Sequence, residues 1–178
     1  CPNTFGGEPF TTPKRLEKLL KSVDELTLAK PVYVKMPINL SFDAFDALLE
    51  VVARHHVTGV TIGNLMKDRK KVALQDELPD TVKGNLSGKP TRDLTTELVR
   101  RTYRAYGDTL VIIGVGGIMS AEDAYEKIRA GASLVALITG LIYEGPQLVG
   151  DINHGLVALL RRDGFASVSE AVGADERA

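Results

Sequence analysis

The hydrophobic pattern of this chain alternates between two kinds of segment. Leucine and valine residues recur every three or four positions in residues 13–28, and this spacing predicts a helix. Residues 32–36 (VYVKM) are a short apolar run that ends at Pro37, which predicts a strand. Helical and strand-like segments continue to alternate after that. The predicted element order is α-β-α-β-α-β-α-β-α.

The remaining predicted elements continue this alternation. Ser41 is suited to cap a helix whose apolar face runs from Phe42 to Val52. Because strands that alternate with helices pair in parallel, the pattern predicts an α/β fold in which helices cover a parallel sheet. Four βα units are half of a (β/α)8 barrel. The other predicted strands are 59–62, 109–114 and 133–138, and the other predicted helices are 92–106, 120–130 and 147–162.

Residues 63–90 are a long polar segment that follows the second predicted strand. Since this segment is longer than an ordinary βα connection, we expect it to be a functional loop or lid. Its charge run at 67–71 (KDRKK) has two interpretations: a solvated face, or a feature that steers an anionic substrate.

Composition and charge narrow the function classes. Apolar residues make up 44% of the 178 positions, which suits one packed domain over residues 1–178. The net charge of −1 gives no electrostatic case for binding nucleic acid or an anionic membrane surface. No apolar run reaches the roughly 18 residues that span a bilayer. One cysteine excludes an intrachain disulfide, and the three histidines form no metal-ligand pattern, so we expect no metal and a cytoplasmic setting.

The start and the length of the sequence suggest that it is part of something larger. The chain begins with Cys-Pro-Asn-Thr and not with Met. A complete (β/α)8 barrel needs about 250 residues, more than this chain has. We therefore expect it to be one part of a longer protein.

Two glycine-containing turns are the strongest functional signal. Residues 112–118 (IIGVGGI) predict a strand that runs into a turn at Gly116 and Gly117, before a helix capped by Ser120. Glycines let the backbone approach an anion closely, and a helix N-terminus favours phosphate. Residues 132–140 (ASLVALITG) are a second strand with a polar end. Two such units bind phosphate in the last strands of a (β/α)8 barrel, although each is also an ordinary βα turn.

Polar residues at the ends of the other strands are further candidates. Lys35 either extends to solvent or supplies a cation beside an electron-rich ring or an anionic substrate. Asn64 either forms a turn or pairs its amide with a planar substrate that alternates carbonyl and N–H groups. Ser87 and Gly88, in the sequence SGKP, form either a plain turn or a backbone surface for a cofactor.

The N-terminal residues include a candidate for proton transfer. Cys1 is either a base with a tuned pKa or a buried, inert thiol. Asn3 either hydrogen-bonds a substrate or forms a turn after proline.

Taken in order, these motifs resemble one family. The segments CPNT, VKMP, LSGKP, IIGVGGI, AGASLV and TGLIYEGP resemble dihydroorotate dehydrogenases, the FMN enzymes of pyrimidine synthesis. The resemblance covers almost the whole chain and corresponds to the C-terminal half of the family's catalytic TIM barrel, about its last four βα units. Residues 164–175 look like the end of the quinone-linked, membrane-associated class.

The resemblance implies roles for the substrate residues. Cys1 stands at the position of the catalytic base, which takes a proton from C5 of dihydroorotate while hydride passes from C6 to flavin N5. Asn3 and Asn64 would hold the pyrimidine and its carboxylate. The product would be orotate.

The resemblance also implies an FMN site. Lys35 would contact the isoalloxazine ring, where a cation near N1 stabilises the reduced flavin. Ser87 and Gly88 would line the site. The phosphate would lie against the residues of the two βα turns, namely Gly116, Gly117, Leu137, Ile138 and Thr139.

The partners implied are dihydroorotate, the N-terminal half of the barrel and an electron acceptor. The acceptor is quinone, fumarate or NAD, because the C-terminus resembles the quinone-linked class while a cysteine at the base position is typical of the soluble classes. The quinone-linked resemblance also implies a peripheral position at the inner face of the membrane, through a part outside this chain.

Four residues depart from the family pattern. Leu65 and Met66 stand where the family has threonines after Asn64, which removes a hydroxyl from the substrate side. Gly63 replaces another threonine, and Ile138 replaces a common tyrosine near the phosphate. Two alternatives stay open: another FMN- or phosphate-binding barrel that acts on a related pyrimidine, and, because half a barrel leaves strand edges unpaired, a non-catalytic half-barrel.

Overall fold

The computed structural model describes residues 10–72, 74, 78–79, 81 and 84–177. Cys1 and Asn3 lie outside this range. Helices and strands alternate as predicted from β1 to β4. The helices are α1 (Pro13–Asp24), α2 (Phe42–Ala53), α3 (Arg92–Tyr106), α4 (Ala121–Arg129), α5 (Thr139–Glu144), α6 (Leu148–Asp163) and α7 (Val168–Ala171). The strands are β1 (Tyr33–Met36), β2 (Gly59–Ile62), β3 (Val111–Val115) and β4 (Leu134–Ala136).

The four strands form one parallel sheet in the order β1-β2-β3-β4. The register places Val60 beside Val34 on one side and Ile112 on the other. This sequential parallel order is the arrangement of consecutive βα units in a (β/α)8 barrel, so the predicted fold class is confirmed. It brings the carboxyl ends of all four strands to one edge.

Side-chain caps fix where two of the covering helices begin. The Ser41 hydroxyl accepts a hydrogen bond from the Ala44 amide at the start of α2. The Ser120 hydroxyl does the same for the Asp123 amide at the start of α4. Both serines thereby satisfy an amide that has no partner inside its helix, as the sequence predicted.

The core has two parts. The first lies between the sheet and helices α1, α2 and α3, with Phe45 and Val99 at its centre. The second joins α4 to α6 and α7, around Ile128 and Ile152. No helix in the described ranges is long and apolar enough to cross a membrane.

Helix α1 is shorter than predicted. It ends at Asp24, and Leu26 beyond it is 64% exposed. Thr27 has a positive φ of 47°, which a helix does not allow. The carboxylate of Asp24 is hydrogen-bonded to His55 and to the His56 amide, just beyond the C-terminal end of α2.

His55 makes that connection between α1 and α2. Its Nδ1 lies 2.6 Å from Asp24 Oδ2, and its Nε2 lies 3.3 Å from Glu17 Oε2. These contacts with His55 hold the pKa of both carboxylates below their usual values. Hydrophobic spacing carries no signal for this contact, because it joins residues far apart in the sequence.

Two short helices, α5 and α7, were not predicted. The predicted strand 133–138 ends early, because β4 stops at Ala136. Helix α5 begins at Thr139, directly after the predicted strand. Six helical residues are too few to show a hydrophobic period. Ile142 and Tyr143 on α5 are exposed by 74% and 77%.

The ring of Tyr103 on α3 packs against backbone that has no side chain. A Cβ on Gly131 would lie 2.3 Å from Tyr103 Cβ, and a Cβ on Gly173 would lie 2.0 Å from Tyr103 Cζ. Both glycines have positive φ. Tyr103 therefore holds the α4–β4 turn and the C-terminal segment against α3.

This packing predicts opposite effects for one kind of substitution at two sites. Gly131→Ala should lower the free energy of unfolding by about 1–3 kcal/mol, because it adds a clash with Tyr103 and strains a φ of +120°. Gly150→Ala, in α6 with nothing within 4 Å of its Cβ, should raise that free energy by up to about 0.5–1 kcal/mol. Urea denaturation of the complete gene product measures both. If both substitutions changed the free energy of unfolding equally, Tyr103 would not pack on Gly131 as described.

Candidate functional site

A cleft of about 270 Å³ lies at the carboxyl edge of the sheet. All the predicted site residues within the described part of the chain line it, although they come from five separate segments. The predicted site residues in the cleft are Lys35, Asn64, Ser87, Gly88, Gly116, Gly117, Leu137, Ile138 and Thr139. Their shared position follows from the parallel sheet, which collects the segments after its strands at one edge.

The glycine turn after β3 packs directly on the start of α3. Gly116 and Gly117 have φ values of +111° and +74°. A Cβ on Gly116 would lie 2.9 Å from Thr91 Oγ1, and a Cβ on Gly117 would lie 2.3 Å from Arg92 Cβ. These glycines are therefore required by backbone conformation and by close packing, in addition to any ligand.

Ser87 and Gly88 contact Thr139, the first residue of α5. Ser87 Oγ lies 3.0 Å from Thr139 Oγ1. A Cβ on Gly88 would lie 2.8 Å from Thr139 Cγ2. The Thr91 hydroxyl donates a 2.8 Å hydrogen bond to the Gly88 carbonyl. The segment before α3 is thus joined to the start of α5 through Ser87 and to Thr91, directly before α3, through Gly88.

Lys35 lies on the face of the sheet opposite the helices. Its neighbours Val34 and Met36 pack into the first core, whereas Lys35 is exposed. It lines the 270 Å³ cleft and also an adjoining cavity of about 310 Å³ beside α1. Asn64 lines both cavities as well. The two side chains thus stand where the cavities meet.

Asn39, which the sequence analysis did not single out, fixes the segment after β2. Its Nδ2 donates to the Leu65 carbonyl at 3.0 Å, and its Oδ1 accepts from the Lys67 amide at 2.7 Å. Asn64 Oδ1 accepts from the Leu65 amide at 2.9 Å. The usable signal was the position of Asn39, a polar residue just after a strand.

The two departures after Asn64 have different surroundings. Leu65 lines the cleft. Met66 does not; it is fully buried in the first core, and its backbone pairs with Leu86 through two hydrogen bonds. Of the two departures, Leu65 is therefore the one that borders the cleft. The same pairing holds the two ends of the long polar segment together.

Lys127 on α4 is a second residue that the sequence analysis missed. Its side chain is fully buried beneath β3, and its Nζ donates to Thr95 Oγ1 at 3.0 Å and to Thr96 Oγ1 at 2.9 Å. Burial lowers the pKa of Lys127 to about 8. Helical spacing was the available signal, because Lys127 shares a face with the apolar residues Ala124 and Ile128.

Comparisons with known proteins agree with this geometry. A sequence profile described as "Dihydroorotate dehydrogenase" matches residues 1–160. The chain is 42% identical over 180 residues to a protein of Anaeromyxobacter dehalogenans named "Dihydroorotate dehydrogenase (quinone)", and the match covers 99% of this chain and 49% of that protein. A protein of the same name from Natronomonas pharaonis is 44% identical over 174 residues, with coverage of 98% and 48%.

A solved structure of a dihydroorotate dehydrogenase (DHODH) also matches this chain. The crystal structure of ligand-free DHODH from Eimeria tenella superposes with a TM-score of 0.88 at 25% identity, and the match covers 99% of this chain and 54% of that one. The chain spans about half the length of the curated relatives it matches. Within that half, the match of profile, sequence and fold shows that the chain belongs to the dihydroorotate dehydrogenase family.

Proposed function

We propose that the protein carrying this chain is an FMN-dependent enzyme that oxidises dihydroorotate to orotate in pyrimidine synthesis. One observation carries the proposal: the residues that match the family's site, drawn from five segments, line a single cleft at the carboxyl edge of the sheet. The chain supplies one wall of the site, and we expect the rest of the barrel to supply the other.

The cleft fits the phosphate end of FMN. Gly116 and Gly117 line the cleft with backbone that carries no side chain. Backbone without a Cβ is what close approach of a phosphate requires. Thr139, across the cleft, adds a hydroxyl that can donate to a phosphate oxygen.

The same cleft fits the ring of the cofactor. Bound FMN would supply the hydride acceptor, N5 of its isoalloxazine ring. Lys35 would lie near the ring as a cation, and Ser87 and Gly88 would line its edge. At the phosphate end, beside Thr139, Leu137 and Ile138 add apolar surface to the cleft, and Ile138 is 70% exposed in this chain.

The substrate would bind where Lys35 and Asn64 meet. The Asn64 amide can donate and accept at once, which suits the alternating carbonyl and N–H groups of a pyrimidine. Cys1 and Asn3 lie outside the described residues, so their roles rest on the resemblance. As hydride leaves C6, Cys1 would take the proton from C5, and the C5–C6 double bond of orotate forms.

Quinone is the acceptor that we propose. The relatives in Anaeromyxobacter and Natronomonas are both named as quinone enzymes. Fumarate and NAD are the alternative acceptors to test, because a cysteine at the base position is typical of the soluble classes of the family. Steady-state assays with each acceptor would separate the three.

The first prediction concerns the reductive half-reaction. The purified complete gene product should carry flavin near one per chain, and anaerobic dihydroorotate should bleach its visible absorbance. Flavin that stays oxidised with dihydroorotate but is bleached by a related pyrimidine would favour the other-substrate alternative, with Leu65 as the first residue to change. Absence of flavin in the complete gene product would contradict the proposal.

The glycine turn gives a second prediction. Gly116→Ala should raise the Kd for FMN at least about tenfold, equivalent to about 1.4 kcal/mol, because the added Cβ meets Thr91 and Thr95 and distorts the turn. Fluorescence titration of the apoprotein measures this Kd. Gly150→Ala is the control, since it lies in α6 away from the cleft. An unchanged Kd for Gly116→Ala would show that the turn does not bind the cofactor.

Lys35 gives a third prediction, which tests the ring end of the cleft. Lys35→Met should make the two-electron reduction potential of the bound flavin more negative, because it removes a cation that stabilises the reduced ring. Dye-equilibration titration measures the potential. Lys30→Met is the matched control, because Lys30 is also exposed. It lines a different cavity, with Pro31 and Thr58, at the N-terminal ends of β1 and β2 and thus at the edge of the sheet opposite the cleft. Equal shifts in both variants would argue against a contact between Lys35 and the ring.

A further inference from the structure

Lys127 is a buried cation for which the proposed reaction has no direct use. Its side chain is fully buried, and its stem crosses beneath β3, where a Cβ on Gly114 would lie 2.6 Å from Lys127 Cδ. Its ammonium group donates to the hydroxyls of Thr95 and Thr96 on α3. Within the described part of the chain, these neutral hydroxyls are its hydrogen-bond partners.

A charge in this position is costly without a nearby anion. The carboxylates around it are Asp123 and Glu126 on α4 and Asp93 on α3, and the guanidinium of Arg92 is also close enough to act on it. Asp93 and Asp123 are both paired with Arg92. The ammonium therefore has no carboxylate bonded to it among the described residues, and part of the surrounding negative charge is already balanced.

One hydroxyl separates Lys127 from the glycine turn of the cleft. Thr95 Oγ1, which accepts from Lys127, lies 3.4 Å from the Gly116 carbonyl oxygen and would lie 3.0 Å from a Cβ on Gly116. It also lies 2.9 Å from the Thr91 carbonyl oxygen. Gly116 and Thr91 both line the cleft. An anion bound on the cleft side of this turn would be separated from the ammonium by the Thr95 hydroxyl and the backbone of Gly116.

We propose that Lys127 is the buried countercharge of the phosphate-binding end of the cleft, a positioning residue that acts through Thr95 and the Gly116 turn without touching the ligand. This inference rests on the proposed function and adds a residue to it. The effective dielectric constant is lower inside a protein than in water, so a buried charge acts more strongly across a short distance. A phosphate dianion gains from that charge, whereas a neutral ligand does not.

The proposal has a consequence for pH. Burial lowers the pKa of Lys127 to about 8 in the absence of ligand. A bound dianion favours the ammonium form and so raises this pKa. Affinity for FMN should therefore be highest well below pH 8 and should fall as the pH rises through 8 and above. A phosphate monoester has a second pKa of about 6, so the ligand's own charge changes little in this range.

The test compares FMN with riboflavin, which lacks the phosphate. Fluorescence titrations of the apo form of the complete gene product give the Kd of both flavins between pH 7 and 9.5. In the unaltered protein, the preference for FMN over riboflavin should weaken with rising pH. Lys127→Met should lower that preference at pH 7 at least about tenfold and remove its pH dependence. Thermal unfolding of each protein reports its stability.

Ile128→Ala is the matched control, because Ile128 is the buried neighbour of Lys127 on α4 and packs in the second core. It should lower thermal stability and leave the preference for FMN and its pH profile unchanged. If Lys127→Met behaves like Ile128→Ala, Lys127 only supports the fold and the inference is overturned.

Two further outcomes separate this inference from the proposed function. If the unaltered protein binds neither flavin, the proposed function fails and the inference fails with it. If it prefers FMN but that preference is constant from pH 7 to 9.5, the inference alone is overturned. This last measurement needs no variant, so it holds even if Lys127→Met does not fold.

Discussion

The close approach of the β3–α4 turn to helix α3 is the constraint on which the cleft depends. Side chains from two helices occupy the space that a Cβ would need at three glycines of this stretch. The stem of Lys127 fills it at Gly114, the hydroxyls of Thr91 and Thr95 at Gly116, and the Arg92 side chain at Gly117. Because Gly116 and Gly117 carry no side chains, their backbone can pack this closely against α3 and still line the cleft.

The far end of α3 is held by the C-terminal segment. Glu176, whose side chain is 3% exposed, pairs with Arg100 and Arg104 on α3. Gly173 packs on Tyr103, and its amide donates to the Ile128 carbonyl on α4. Helices α3 and α4 are thus joined at the end away from the cleft as well as at the glycine turn. The position of the glycine turn follows from both contacts.

The sequence was sufficient to predict the four strands, the five longer helices and most of the cleft lining, for a physical reason. Strands that alternate with helices pair in parallel, so residues that follow each strand must meet at one edge, and the motif residues Asn64 and Thr139 do so. What the sequence did not predict depends on contacts between distant segments. Asn39 holds Leu65 across a loop, and Met66 turns into the core because it pairs with Leu86. Neither contact leaves a periodic signal in the sequence.

The two cations beside the glycine turn show how the fold treats charge differently according to position. Arg92, at the start of α3, is bonded to the carboxylates of Asp93 and Asp123, which raise its pKa, and Asp123 also accepts from the Met119 amide. Its charge is neutralised locally, and its role is to join α3 to the start of α4. Lys127 is more deeply buried and is bonded to hydroxyls. A buried ion pair is often neutral or unfavourable for folding stability. A carboxylate bonded to Lys127 would therefore cancel the electrostatic effect of the ammonium at the turn without a matching gain in stability. Because the ammonium is hydrogen-bonded only to neutral hydroxyls among the described residues, its charge remains available to attract an anionic ligand bound at the turn.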